Sequence, residues 1–197
     1  MKKSLILTAA LVIIVTALSL GQAQNQVSKS KNDKKCDMKC CDDANKGSTK
    51  GCCKPDLGEV IKSSMKMKDA FVSSNTSLVS STAEEVLSNL EKINMMGSKG
   101  QKHEDCMKLL QSMNQRLKNI KDSKDIDEQR SDFAAYNEVL YQSIKHFGFK
   151  GEKLFYDFCP MALNNKGAYW FSNTEKIRNP YFGDKMLSCG RVKETIN

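Results

Sequence analysis

The chain reads as mainly α: an antiparallel four-helix bundle followed by a small C-terminal strand/loop segment. Three observations predict this. Between residues 56 and 148, apolar side chains recur every three or four positions in successive stretches. Capping and helix-stopping residues bound those stretches. After Gly148 the period falls to two, and aromatic residues concentrate there and in the last helix.

The elements follow in order. Asp56, with Glu59 three residues on, resembles a capping box for a first helix whose stripe is Leu57, Val60, Ile61, Met65 and Phe71. Met65 and Met67, two apart, cannot share one helical face. The second helix begins near Asn75 or Thr76. Val79, Ala83, Val86, Leu90 and Ile93 form its buried face, and Gly97 and Gly100 end it. The third runs from about His103 to Ile120, with Cys106, Leu110, Met113, Leu117 and Ile120 spaced as a bundle seam. The fourth starts near Asp125 or Asp127 and carries Phe133, Asn137, Leu140, Ile144 and Phe147. Gly148 is its natural stop. Cys106 on the seam reads as a buried structural thiol, since free cysteine packs as a small hydrophobe. The sharper alternative is a metal trio of His103, Cys106 and Met107.

Beyond Gly148, Leu154, Tyr156 and Phe158 alternate with Phe155, Asp157 and Cys159 in a strand. Asn164, Asn165 and Gly167 are turn residues before a second strand, Ala168 to Phe171. Asn179 to Gly183 is a loop, and Arg191-Val192 a last short strand.

The chain of 197 residues divides into four parts: a leader (1–23), a Cys/Lys-rich tail (24–55), the helices (56–148) and the C-terminal segment packed on them (149–197). Lys2 and Lys3, the apolar run Leu5–Leu20 and the small-x-small pattern Gly21-Gln22-Ala23 make a secretory signal, with cleavage after Ala23. An uncleaved N-terminal anchor is the alternative, although the run falls short of the roughly 20 apolar residues of a comfortable span. A periplasmic or secreted protein follows, with no membrane span in the mature chain. The formal charge of +8 is spread out and has no aromatic-basic stripe, so it reads as solvated surface and not as a nucleic-acid site.

Of eight cysteines, Cys36, Cys40, Cys41, Cys52 and Cys53 crowd into the tail, which has no apolar periodicity and reads as disordered. Lysines beside thiols lower their pKa, and thiolates bind metal, so this cluster is a secondary metal candidate. Disulfides tying down the tail are the alternative. No paired Cys-x-x-Cys zinc spacing is present.

The primary candidates lie near the end. Cys159 precedes Pro160 and is therefore extended, so Cys159 and Met161 face one way. Asp184 and Gly190 bracket a helical turn in which Met186 and Cys189 share a face. If the chain folds back, Cys159, Met161, Met186 and Cys189 meet, and thiolate plus thioether is a ligand set for a soft ion such as Cu(I). Equally, Cys159 and Cys189 form a disulfide, as an oxidising compartment favours, with the methionines as packing.

Four stretches carry a resemblance: Cys159-Pro160-Met161-Ala162, Gly167-Ala168-Tyr169-Trp170, Ile177 to Gly183 and Met186-Leu187-Ser188-Cys189-Gly190. With the helical layout from Leu57, including Gln129-Arg130 before Phe133, they resemble an uncharacterised bacterial envelope family. Its members occur alone or attached to membrane-fusion adaptors of copper and silver efflux systems. The sequence departs from those adaptors in having no hairpin or barrel segments. The resemblance implies heavy-metal handling, with Cu(I) or Ag(I) at Cys159, Met161, Met186 and Cys189 and an efflux adaptor as partner. The expected function is thus an exported soft-metal buffer or carrier. The alternative is an interaction module docking on an envelope efflux component, with a structural Cys159–Cys189 bridge. No redox Cys-x-x-Cys, nucleophile elbow, haem motif or phosphate loop is present, so no enzyme is expected.

Overall fold

The computed structural model describes residues 56–93 and 101–197. All of them belong to the second of two compact units, Asp37–Asn197. The leader, the tail with its five cysteines, Met95, Met96, Gly97 and Gly100 lie outside the described residues.

Four long helices come first: α1 (Gly58–Val72), α2 (Thr76–Glu91), α3 (Gln101–Asp122) and α4 (Ile126–Phe147). Leu57 holds the α1 N-cap position without a side-chain cap bond, and Asp56, one residue earlier, accepts from Gly58 N at 2.9 Å in place of the expected capping box. Asn75 caps α2 by accepting from Leu78 N (2.9 Å). Helix α2 ends at Glu91 with Lys92 as C-cap, earlier than its glycines suggested. Asp125 caps α4 by accepting from Asp127 N (2.7 Å) and Glu128 N (3.1 Å). Gly148 ends α4 at φ +79°, in the positive-φ region that favours glycine.

Consecutive helices pack on one another, α1 on α2, α2 on α3 and α3 on α4. Their stripes are buried: Val79, Ala83, Val86 and Leu90 of α2, Met113, Leu117 and Ile120 of α3, and Phe133, Leu140 and Ile144 of α4. Each such aliphatic or aromatic side chain contributes about 2 kcal/mol when removed from water. Helix α1 differs. Met65 and Met67 are both buried although two positions apart, and Lys68 is buried with them. One buried face cannot hold all three. Helix α1 packs on α2 and also on the C-terminal segment.

That segment is a three-stranded antiparallel sheet of β1 (Leu154–Cys159), β2 (Ala168–Ser172) and β3 (Arg191–Ile196), in the order β2-β1-β3. Strand β3 extends well past the two residues expected. Across β1 and β2, Asp157 stands opposite Trp170 and Cys159 opposite Ala168. The β1–β3 register shifts between Tyr156 and Asp157. The β2 backbone meets α4 where Phe171 N donates to Asn137 Oδ1 (3.3 Å). Tyr141 of α4 stacks on Tyr156, which stacks on Tyr169, at ring separations of 4.4 and 4.8 Å.

Candidate functional site: the Cys159–Cys189 pair

Cys159 is the last residue of β1, the central strand, and is wholly buried. Cys189 arrives from a different direction. A 3₁₀ turn, Gly183–Met186, precedes it, and Cys189 N donates to Met186 O (3.0 Å). Asn179 fixes this return loop. It is fully buried, donates from Nδ2 to Cys189 O (2.7 Å) and from its backbone N to Leu187 O (2.8 Å), and accepts from Tyr181 N at Oδ1 (2.7 Å). Gly190 completes the approach at φ +140°. A Cβ there would lie 2.7 Å from Trp170 Cη2 and 3.1 Å from Phe158 O, so only glycine lets the chain press in at this point.

The two Sγ atoms consequently stand 2.9 Å apart. A covalent S–S bond is about 2.0 Å. Two thiolates sharing one tetrahedral ion at about 2.3 Å each sit roughly 3.7 Å apart. The pair lies between these geometries, within about 1 Å of either. Cys189 is half-buried. Its thiol is pushed up to about 11, first by the hydrogen bond with Cys159, then by burial and by the second sulfur's charge. In the reduced state Cys189 therefore keeps its proton at neutral pH until a ligand or an oxidant displaces it.

Met161 is placed differently from the sequence expectation. Met161 is not extended: its φ of −87° and ψ of −12° turn the chain straight after Pro160, and the side chain is 45% exposed. Met186 ends the 3₁₀ turn and is half-buried. Asp184 lies within that turn's first residues, and Phe182, not Asp184, occupies the N-cap position. Each methionine stays tethered near its cysteine, Met161 through two peptide links and Met186 through the turn bond to Cys189 N. Among the described residues no group of three or more His, Cys, Asp or Glu side chains forms a metal cluster.

Cys106 is buried in α3, and burial pushes its thiol up, as suits a structural residue. His146 is exposed in the last turn of α4, edge-on to Phe147.

Sequence reasoning assigned no role to the Asp157 carboxylate or to the contacts of the Arg130 side chain. Asp157 lies two residues before Cys159, on the same side of β1. It is fully buried, and neither carboxylate oxygen has a hydrogen-bond partner. Burial pushes it up to about 7, against the opposing pull of Lys68. The Trp170 indole N–H, cross-strand from Asp157, is also unpartnered. Arg130 acts farther off, on the return loop. Its guanidinium donates to Pro180 O (3.1 Å), Asp127 Oδ1 (3.2 Å) and Ser74 Oγ (2.8 Å), joining α4 to the loop that carries Asn179. The signal for Asp157 was its place in the β1 alternation, where a carboxylate shares a face with Cys159.

Residues 60–152 match the family model described as "Protein of unknown function (DUF3347)". The match spans α1 to α4 and stops before β1. No curated protein and no solved structure matches the chain. No described helix is long and apolar enough to cross a membrane.

Proposed function

We propose that the protein captures soft monovalent metal ions, Cu(I) or Ag(I), as a buffer or carrier in the bacterial envelope. The observation that supports this most directly is the contact between Cys159 and Cys189, two thiols thirty positions apart, at the junction of the central strand and a pinned loop. In this reading each thiol gives its proton to solvent as its bond to the ion forms, and the sulfurs move apart from their 2.9 Å contact to admit it. Met161 and Met186 add thioethers, which disulfide formation cannot remove. The tail cysteines 36, 40, 41, 52 and 53 collect the ion first. An antiparallel helical bundle is the platform, a cleaved leader exports the chain, and a membrane-fusion adaptor of a metal-efflux system receives the cargo. No turnover is involved.

The test is a chelator-competition titration with Cu(I) on the reduced protein, carrying serine at the five tail positions. One ion per chain is expected, with affinity rising up to about tenfold per pH unit for each proton released. Uptake that survives C159S/C189S rejects the site.

A second reading has its own support. A separation of 2.9 Å is also close to bonding distance. Here a disulfide-exchanging oxidant takes two electrons and two protons from the pair, and the closed bridge stiffens a module that docks on an envelope component. Thiol counting on protein isolated without reductant separates the two. A pair found blocked, and opened only by strong reductant, supports the bridge.

A further inference from the structure

A second site lies on the loops that carry the sulfur residues, and it does not depend on the metal reading. A cavity of about 540 Å³ opens between the start of α4, the 160–167 turn and the 179–186 loop. Its charged lining is Arg130, Lys166 and Lys185 against Asp127. Asp127 is already taken up by Arg130, which is nine-tenths buried and held by three hydrogen bonds. Lys166 and Lys185 are exposed, and among the described residues neither is in an ion pair. Two cationic charges therefore face the cavity without a counter-charge. The remaining wall is Leu163, Tyr181 and Phe182 with the polar Ser131 and Asn164. The Tyr181 hydroxyl is spent on Tyr169 O (2.6 Å), so this residue presents carbon.

Charge and wall together define the occupant. The volume falls in the range of small-molecule sites, about 300–1,000 Å³. Two free ammonium groups, beside a guanidinium already fixed in place, call for a ligand with at least two negative charges. The apolar part of the wall, Leu163, Tyr181 and Phe182, suits a carbon body between those charges, and Ser131 and Asn164 put neutral polar groups beside it. We propose that this cavity binds a small polycarboxylate.

The two lysines are exposed, so their replacement leaves the core intact. Citrate is the probe, titrated calorimetrically into the metal-free full chain at low salt. Saturable binding in the millimolar range or tighter is expected, weakening as salt is added. K166E/K185E should weaken it about tenfold or more, since each lysine is an exposed charge acting over a short distance. K62E/K118E makes the same charge change on exposed helix positions away from the cavity and should leave binding unaltered. Three results overturn the proposal: no saturable citrate binding, an equal loss in both double variants, or inorganic phosphate binding as tightly as citrate.

Discussion

The helices and the C-terminal sheet are held together by different means. In α2, α3 and α4 the order comes from repetition: apolar side chains at three- and four-residue spacing, many of them wholly buried. In the loops around the sheet it comes from single contacts. Asn179 makes three hydrogen bonds, Gly190 sits where a Cβ does not fit, and Arg130 reaches Pro180 from α4. A repeated contact can be lost and partly absorbed by its neighbours. A single contact cannot. The thiol pair stands in the second kind of region, so its geometry is more sensitive to point changes than global stability is.

Breaking the helical side has the largest expected effect. Phe133 is wholly buried, with its ring 4.4 Å from that of Phe71. Phe133→Ala should cost about 3–5 kcal/mol, read by urea denaturation. Next comes Asp157, whose folded-state pKa is raised from 3.8 to about 7. Between those values the folded state binds a proton that the unfolded state releases. Stability therefore falls as pH rises from about 4 to 7 and levels off above. The full span is worth up to about 4 kcal/mol. Asp157→Asn should abolish the slope and leave the protein more stable than wild type at pH 8. A wild-type profile that rises over this range defeats the argument.

Asn179→Ala removes the two side-chain hydrogen bonds, to Cys189 O and from Tyr181 N, and should cost about 2–3 kcal/mol. The comparison predicts something more specific as well: oxidative cross-linking of Cys159 to Cys189 should slow by more than the stability loss alone explains. Gly190→Ala should cost about 1–3 kcal/mol and give the same cross-linking signature, because the added methyl meets Trp170. Smallest is Asp132→Ala, between α3 and α4. It removes the acceptor for Arg116 Nη1 (3.0 Å) and Asn119 Nδ2 (3.1 Å). With Arg116 nearly half exposed, a loss near 1 kcal/mol is expected, and cross-linking of the thiols should not change.

The same contrast governs what could be read in advance. The stripes and the caps Asn75 and Asp125 were legible, because periodicity and capping are local properties of the sequence. The double burial of α1 at Met65, Met67 and Lys68 was not, because it depends on strands more than eighty residues away. Asn164 and Asn165 announced a turn. The third left-handed residue, Leu163 at φ +51°, did not, since leucine avoids that region by about 1 kcal/mol or more. Cys159 and Cys189 could be named from their flanking residues. The device that joins them could not: it runs through an asparagine amide ten positions from one cysteine and a glycine whose role depends on a tryptophan in another strand. Met161 shows the limit of reading by spacing, because one turn after Pro160 replaced the extended backbone that the reading assumed.

The strand order carries one more consequence. Cys159 belongs to a strand flanked on both edges, while Cys189 hangs from a loop secured chiefly by one asparagine. The two sulfurs thus work as a vice with one anvil and one travelling jaw. Any event that widens or closes the gap will be felt along residues 179–190, and the centre of the sheet will stay where it is.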